Sequence, residues 1–369
     1  MNKSILYLGG FELPDRNAAA QRVLANAKLL REMGFDVSFI GVSKDIMRAP
    51  KVVDGFLSHP IPYPSNTKEW MHQVFTFVDV ETILEHRPNY VILYNFPAVA
   101  SIRILKACHK HGIKVVHDLT EWESNKRWRP SDIVRKIDIN LRMRYCMKKM
   151  DGVIAISRYL YEYYKKYVNT IMMPPTVDLT EEKWNRKRQL SSSDMVKLVY
   201  AGSAGFGAKD RLDIIIEAVV KHPNMQLDVI GMNEENYVAG YGALPATRDN
   251  VFFHGRLSHA EAVTAVQNAD FQFLIRDSNR KNNAGFPTKF VESMACCTPV
   301  IATLTSNIGD YLVNGKNGYV VDETHTLDNV LDSISKLSLS EIIKMKETCR
   351  EVTVFDYREY KNTFEDIFK

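Results

Sequence analysis

The sequence predicts an α/β protein of two doubly wound domains, each a parallel sheet with helices on both faces. Three observations carry this. The chain has 369 residues, more than one hydrophobic core comfortably serves. An apolar strand, a glycine turn and an amphipathic helix follow one another twice, once from Ile5 and again from Val196. Between the two halves, residues 181–194 are charged and Ser-rich, the composition of a linker.

In the first half, residues 5–10 read as a strand ending in a glycine turn. Residues 17–30 follow as a helix with an apolar stripe, closed by Gly34, and 37–42 as the next strand. Gly9-Gly10 lacks the full glycine fingerprint of a dinucleotide site. That excludes a nicotinamide dehydrogenase and leaves open a tight turn or a phosphate loop. The run YVILYN at 90–95 suits a buried parallel strand, and it ends in Asn95-Phe96-Pro97. IKVVH at 113–117 suits another. His117, Asp118 and Glu121 then stand where a strand's carboxyl end opens into a crevice, the place for chemistry in open α/β sheets. DGVIAIS at 151–157 closes the first sheet, and Pro174-Pro175 marks the expected boundary. The expected domains are 1–175, with a C-terminal helix at 352–369 packing back on it, and 176–351.

The second half restarts with a strand at 196–200, a glycine-rich loop at 201–210 and a helix at 212–221. Backbone N–H groups and one cation can converge there on phosphate oxygens. A strand follows at 226–231, and Ser258 to Glu261 has the spacing of a capping box. His254 and His259 have no partner at metal spacing and read as structural. A strand at 270–275 feeds a loop rich in Arg, Lys, Asn and Asp at 276–286. From Thr288 an apolar helix carries one carboxylate, Glu292, in what reads as its first turn. Small residues (Ser293, Ala295, Cys296, Cys297) lead to Pro299, which must end the helix before the strand 300–302. The free N–H groups and positive dipole of this helix face a crevice, and one carboxylate there suits vicinal hydroxyls.

Net charge is only +4, yet residues 126–149 hold nine Lys and Arg against two Asp. Apolar residues in the same stretch (Ile133, Ile137, Ile139, Leu141, Met143, Met147) predict a helix with one side packed inward. Its basic side is either a solvated face or a surface for anionic lipid or an anionic acceptor, with Arg127, Arg129, Arg135, Lys136 and Arg142 as candidates. The tyrosines and lysines of 159–167 suit an interface too. Five cysteines without paired spacing argue against disulfides or zinc and for a reduced compartment. The first residues do not read as a signal peptide, and no run is long and apolar enough to span a bilayer. Nucleic acid is not an expected partner.

The stretch AGFPTKFVESMACCTPVIA, 284–302, resembles the donor-site signature of GT-B glycosyltransferases of the family 4 type. There a Glu, seven residues and a second Glu precede a "MA-G-PVIA" turn. Glu292 matches the second acid, while Ala284 stands in place of the first and Cys297 in place of a glycine. The resemblance spans nearly the whole chain and is strongest in the second half. It implies a GT-B fold, two Rossmann-like domains facing across a cleft, with a nucleotide-sugar donor held mainly by the second. Lys209 matches the family's loop lysine on the donor diphosphate. Ser203 replaces its arginine, which Arg211 or Arg256 would have to make good. Gly285 and Phe286 match positions lying against the donor sugar; Thr288 and Lys289 begin the helix, with Lys289 reaching phosphate. His117 takes the family's functional histidine role with Asp118 as its support, and Gly10, Asn17 and Arg22 are candidates in the cleft loop. The activity implied is hexosyl transfer to an acceptor hydroxyl with retention, without metal or cofactor. The acceptor would be a lipid-linked oligosaccharide in capsular, exo- or lipopolysaccharide assembly. The protein would be cytoplasmic, touching the inner face of the cell membrane. Ala284 and Ser203 favour the alternative of a non-catalytic GT-B protein serving as a binding or scaffolding partner.

Overall fold

The apolar runs form two sheets. The computed structural model describes residues 3–45, 49–123, 130–184, 195–202 and 209–368. The chain divides into two compact units, one of Met1–Thr176, Asn283–Phe286 and Asp356–Lys369, the other of Val177–Asn282 and Pro287–Phe355.

In the first unit the strands are β1 (Ser4–Gly9), β2 (Asp36–Ile40), β3 (Val42–Ser43), β4 (Lys51–Val53), β5 (Phe56–Ser58), β6 (Ile61–Pro62), β7 (Tyr90–Tyr94), β8 (Lys114–Leu119), β9 (Gly152–Ala155) and β10 (Thr170–Met172). Eight of them make one sheet in the order β10-β9-β8-β7-β1-β2-β5-β4; β3 and β6 pair separately. Only the edge pair β4 and β5 of that sheet is antiparallel. The chain winds outward from β1 to β5 and then resumes beside β1 at β7, so the order reverses between β1 and β7. Gly9 pairs with Tyr94 at this switch point. A Cβ on Gly9 would lie 2.7 Å from that of Tyr94, so only glycine ends β1 here.

The helix Ala18–Glu32 lays Ala20, Val23 and Ala27 on Tyr7, Phe39 and Ile92 of the sheet. Phe364, Ile367 and Phe368 of the tail join the same core. The tail is three short turns, Tyr357–Tyr360, Lys361–Glu365 and Asp366–Phe368, where one helix was expected. It is tied down by Tyr357 donating to Glu32 at 2.6 Å and by Tyr90 donating to the Phe368 carbonyl.

The basic segment is helical over Pro130–Leu141 and continues through one π turn, Arg142–Cys146, and a 3₁₀ turn, Met147–Lys149. Its inward face is Ile139, Arg142, Met143, Cys146 and Met147, all buried at helical spacing. Ile133, Ile137 and Leu141 lie on the opposite side and are exposed, contrary to the sequence expectation. The helical period leaves no other outcome once Ile139 and Met143 are buried, because two residues apart is about half a turn.

The second unit contains β11 (Val196–Ala201), β12 (Met225–Ile230), β13 (Val251–Phe253), β14 (Phe271–Leu274), β15 (Val300–Thr303) and β16 (Gly318–Val321). Their order is β13-β12-β11-β14-β15-β16, all parallel. This is the 3-2-1-4-5-6 order of a doubly wound nucleotide-binding sheet, whose ligand crevice lies at the carboxyl ends of the first and fourth strands. Here those are β11 and β14. The core beneath is Leu198, Leu227, Phe271, Phe273 and Ile301, covered by Ile215 and Ile216 of the helix Leu212–Val219 and by Leu331 and Ile334 of Leu327–Ile334.

Candidate functional site

At the β11/β14 switch point one buried carboxylate gathers two cations. Asp210, 5% exposed, accepts from Arg276 Nε on one oxygen and from Lys289 Nζ on the other, each at 2.5 Å. The Tyr200 hydroxyl also donates to it, at 2.9 Å. Burial raises the Asp210 pKa, but Lys289 and Arg276 outweigh it and hold the carboxyl well below the usual range. Burial in turn pulls the Lys289 pKa down, against the opposing pull of Asp210. One carboxylate and two cations leave one positive charge at the mouth of the sheet.

The sequence builds each part locally. Arg276 follows β14, and its backbone is clamped to β15 by Thr303, which accepts from its N–H at 2.8 Å and donates to its carbonyl at 2.7 Å. Arg211 N–H donates to the Ile275 carbonyl, which lays Asp210 beside Arg276. Lys289 is the second residue of the helix Thr288–Ala295. It crosses the Tyr200 ring at 4.3 Å and passes over Gly202. A Cβ on Gly202 would lie 2.0 Å from its Nζ, so the glycine after β11 makes room for this lysine. Pro287 caps that helix without a side-chain hydrogen bond, and Thr288 is half-buried at its start.

Glu292 is the fifth residue of the helix, so it stands in the second turn and not the expected first. Half-buried, it meets His259 at 3.2 Å. His259 opens the helix His259–Asn268 behind the capping box of Ser258 and Glu261, so a histidine read from sequence as structural sits on a candidate donor residue. His254 instead meets Asp228 at 2.7 Å. Lys209 is exposed next to Asp210, and its carbonyl is approached by the buried Asn282 amide at 3.5 Å. Arg256 is exposed, whereas Arg211 is engaged by Asp213 and Asp277. Ser203 lies outside the described residues. Gly285 and the buried Phe286 belong to the segment that groups with the first unit. There the Ala284 carbonyl accepts from Ser157 Oγ at 2.7 Å.

In the first unit His117 and Asp118 are both fully buried. Asp118 does not support His117. The strand β8 runs on to Leu119, so the two are adjacent strand residues and face opposite sides of the sheet. Asp118 accepts bidentately from Arg22, which also donates to the Met173 and Pro174 carbonyls, and from Tyr7 and Asn26. Arg22, a candidate cleft cation, is therefore committed to this internal pair and is 4% exposed. Asn17 is committed as well: its Oδ1 caps the helix Ala18–Glu32 by accepting from Ala20 N–H. Gly10 is exposed, with open space where a Cβ would stand.

On the other face, His117 Nε2 accepts the Phe96 N–H at 3.2 Å, which puts the proton of the neutral ring on Nδ1. Nδ1 has no hydrogen-bond partner among the described residues. Burial and the charge of Arg142 push the His117 pKa down to about 3. Arg142 was expected on a basic surface. It is buried instead and donates to the Asn95 carbonyl at 2.7 Å, in the turn after β7 where Asn95 has φ 44°. Arg135 and Lys136 do lie on the surface, Arg135 paired with Glu123; Arg127 and Arg129 fall outside the described residues.

Asp210, Arg276 and Tyr200 are the residues that sequence reasoning passed over, and His259 is one that it read as structural. Arg276 offered a signal, since it directly follows a strand whose carboxyl end faces the crevice.

The model for glycosyltransferase family 4 matches residues 19–181, and that for glycosyl transferases group 1 matches 183–353. Together they take in every strand but β1 and the cationic switch point. The chain belongs to the GT-B glycosyltransferases of the family 4, group 1 type. It is accordingly a glycosyltransferase, and its two units are the Rossmann-like domains of the GT-B fold. Among solved structures, sucrose-phosphate synthase from Thermosynechococcus elongatus is similar at a TM-score of 0.72 and 14% identity, covering 99% of this chain and 98% of that one. The Anabaena protein HepE, in complex with UDP and glucose, gives 0.67 at 12% identity, with 99% of both chains covered. The lipopolysaccharide outer core galactosyltransferase WaaB gives 0.64 at 15% identity, covering 98% and 99%. No curated protein sequence matches the chain.

Proposed function

We propose that this glycosyltransferase moves a hexosyl group from a nucleotide sugar to a hydroxyl of a lipid-linked oligosaccharide, with retention, in the assembly of a surface polysaccharide. The observation that carries the donor half is the cluster of Asp210, Arg276 and Lys289 at the β11/β14 switch point. Its surplus positive charge is fixed before any ligand arrives, which is what a departing diphosphate needs. Lys289 and Arg276 do the work that Ser203 cannot, and Lys209 adds a cation on the adjacent loop. No metal is required for that charge. Glu292, oriented by His259, would accept from donor hydroxyls. HepE, solved with UDP and glucose, and WaaB, a lipopolysaccharide galactosyltransferase, support a nucleotide-sugar donor and a polysaccharide setting.

For the acceptor half, an open groove of about 460 Å³ in the first unit is lined by Trp70, Ser65, Thr67, Asp132 and Arg135. An aromatic face with hydroxyl, carboxylate and guanidinium groups beside it suits a sugar ring. No helix among the described residues is long and apolar enough to cross a membrane. The reading is of a cytoplasmic protein that touches the inner face of the cell membrane peripherally.

The test is a thermal-shift panel of nucleotide diphosphates and nucleotide sugars, with and without a divalent metal. A ligand at about 100 times its Kd stabilises the native state by about 2.7 kcal/mol. One nucleotide family should raise Tm without metal, and Lys209→Ala, Lys289→Ala and Glu292→Ala should each weaken that response. No shift from any member at millimolar concentration would defeat the donor assignment.

A further inference from the structure

The surface side of the basic helix carries a ridge that the core does not use. Ile133, Ile137, Leu141 and Tyr145 are 41%, 62%, 38% and 63% exposed, and each is four residues from the next. Four-residue spacing on one helix puts them in a single row. Large apolar side chains scattered on a surface mean little, but a row is a feature.

What flanks the row is basic and aromatic. Lys136, Arg144 and Lys149 are exposed on the same helical stretch. Its two acids are turned elsewhere: Asp138 accepts the Ala98 N–H at 2.8 Å, and Asp132 lines the groove beside Trp70. Beside it, Trp122 meets the helix Arg158–Tyr164 edge-on, its ring 5.0 Å from that of Tyr163. Arg144 stands over Trp122 at 5.9 Å and Lys148 over Tyr167 at 3.8 Å. Tyr159 and Tyr167, 41% and 48% exposed, extend the surface. On that helix Glu162 is paired with Lys165, and Glu123 nearby is paired with Arg135.

We infer that this ridge is the membrane-insertion face of the protein: Ile133, Ile137, Leu141 and Tyr145 enter the acyl boundary of an anionic bilayer while the flanking Lys and Arg hold its phosphate headgroups. The inference rests on the proposal that the acceptor is lipid-borne, and it names the surface that meets the lipid. An interfacial helix needs an apolar row, cations beside it and amphipathic aromatic rings at the boundary, and all three coincide here. A second copy of the chain fits the same face poorly. A two-fold contact sets each patch against itself, and this one would bring like charges together.

The test is co-sedimentation of the full chain with vesicles of phosphatidylcholine alone and of phosphatidylcholine with one-third phosphatidylglycerol. The protein should sediment with the anionic vesicles only, and salt should weaken it. Ile137→Asp, and separately the pair Lys136→Gln with Arg144→Gln, should each lower the vesicle partition about tenfold. Both variants should keep wild-type Tm and the wild-type response to nucleotides, because these side chains are exposed. Absence of wild-type binding to anionic vesicles, or binding unchanged in Ile137→Asp, overturns the assignment. So does a dimer in sedimentation velocity that Ile137→Asp dissociates without any vesicle binding, since that gives the ridge to a second copy. The vesicle and sedimentation-velocity readouts use neither donor nor acceptor, so a failed nucleotide panel and a failed vesicle assay are separate results.

Discussion

At the scale of single residues, the cationic cluster depends on one missing side chain. Gly202 leaves space for Lys289 to reach Asp210, and an added Cβ would meet the far end of that flexible lysine. Gly202→Ala should therefore move Lys289 and leave the sheet intact. The expected outcome is weaker nucleotide binding by calorimetry with a Tm close to wild type; equal affinity would detach Lys289 from the donor site. Lys289 was legible in the sequence because its offset from the helix start is local. Its partnership with Asp210 and Arg276 was not. The three lie far apart in the chain, and only the way the β11 loop lies against the end of β14 makes them neighbours. Cys297 is a similar case. It stands where the family has glycine and adopts φ 54°, a left-handed conformation that a sequence letter does not reveal.

At the scale of elements, two residues' extra length in one strand changes the reading of a motif. The apolar pattern ended β8 at His117, whereas the strand continues through Leu119 and pulls Asp118 to the opposite face. Asp118 then becomes half of a buried ion pair with Arg22 that fastens the helix Ala18–Glu32 to the sheet. Breaking such a pair leaves an uncompensated charge inside and costs about 3–5 kcal/mol. Asp118→Ala should lose about that much in urea unfolding of the first unit, and a near-neutral result would return Asp118 to a purely chemical role. The basic helix makes the same point in reverse. Its amphipathic period was plain in the sequence, but with apolar residues on two sides the period alone could not say which side would be buried.

At the scale of the whole molecule, burial of His117 should appear in the pH dependence of stability. The folded pKa is about 3, against about 6.5 in the unfolded chain. Between these values the unfolded chain binds more protons, so stability rises with pH from about 3 to about 6.5 and is level above that. Going from pH 7 to pH 5 should cost about 2 kcal/mol through this group alone. His117→Gln, which keeps an acceptor for the Phe96 N–H, should shrink the stability difference between those two pH values by that amount. Urea titrations at both pH values check it, and an unchanged gap would mean that His117 is not the acid-sensitive group. Asp210 adds nothing in this window, because a depressed carboxyl contributes fully above about pH 4 and loses that stability only in stronger acid.

The sequence by itself determined the fold class, the two doubly wound sheets and the family. These rest on local signals, apolar runs, glycine turns and helix stops, that each segment carries within its own neighbourhood. The donor helix and its lysine were legible for the same reason. Only the tertiary structure decided which charges are free and which are spent. Arg22 and Arg142 are as basic as any surface arginine in sequence, yet burial commits them to Asp118 and to the Asn95 carbonyl. Tertiary packing also turned Ile137 and Tyr145 outward and brought Arg276 beside Asp210. A side chain's role depends on its desolvation and its partners across the chain, and both are set when strands and helices pack, not when they form.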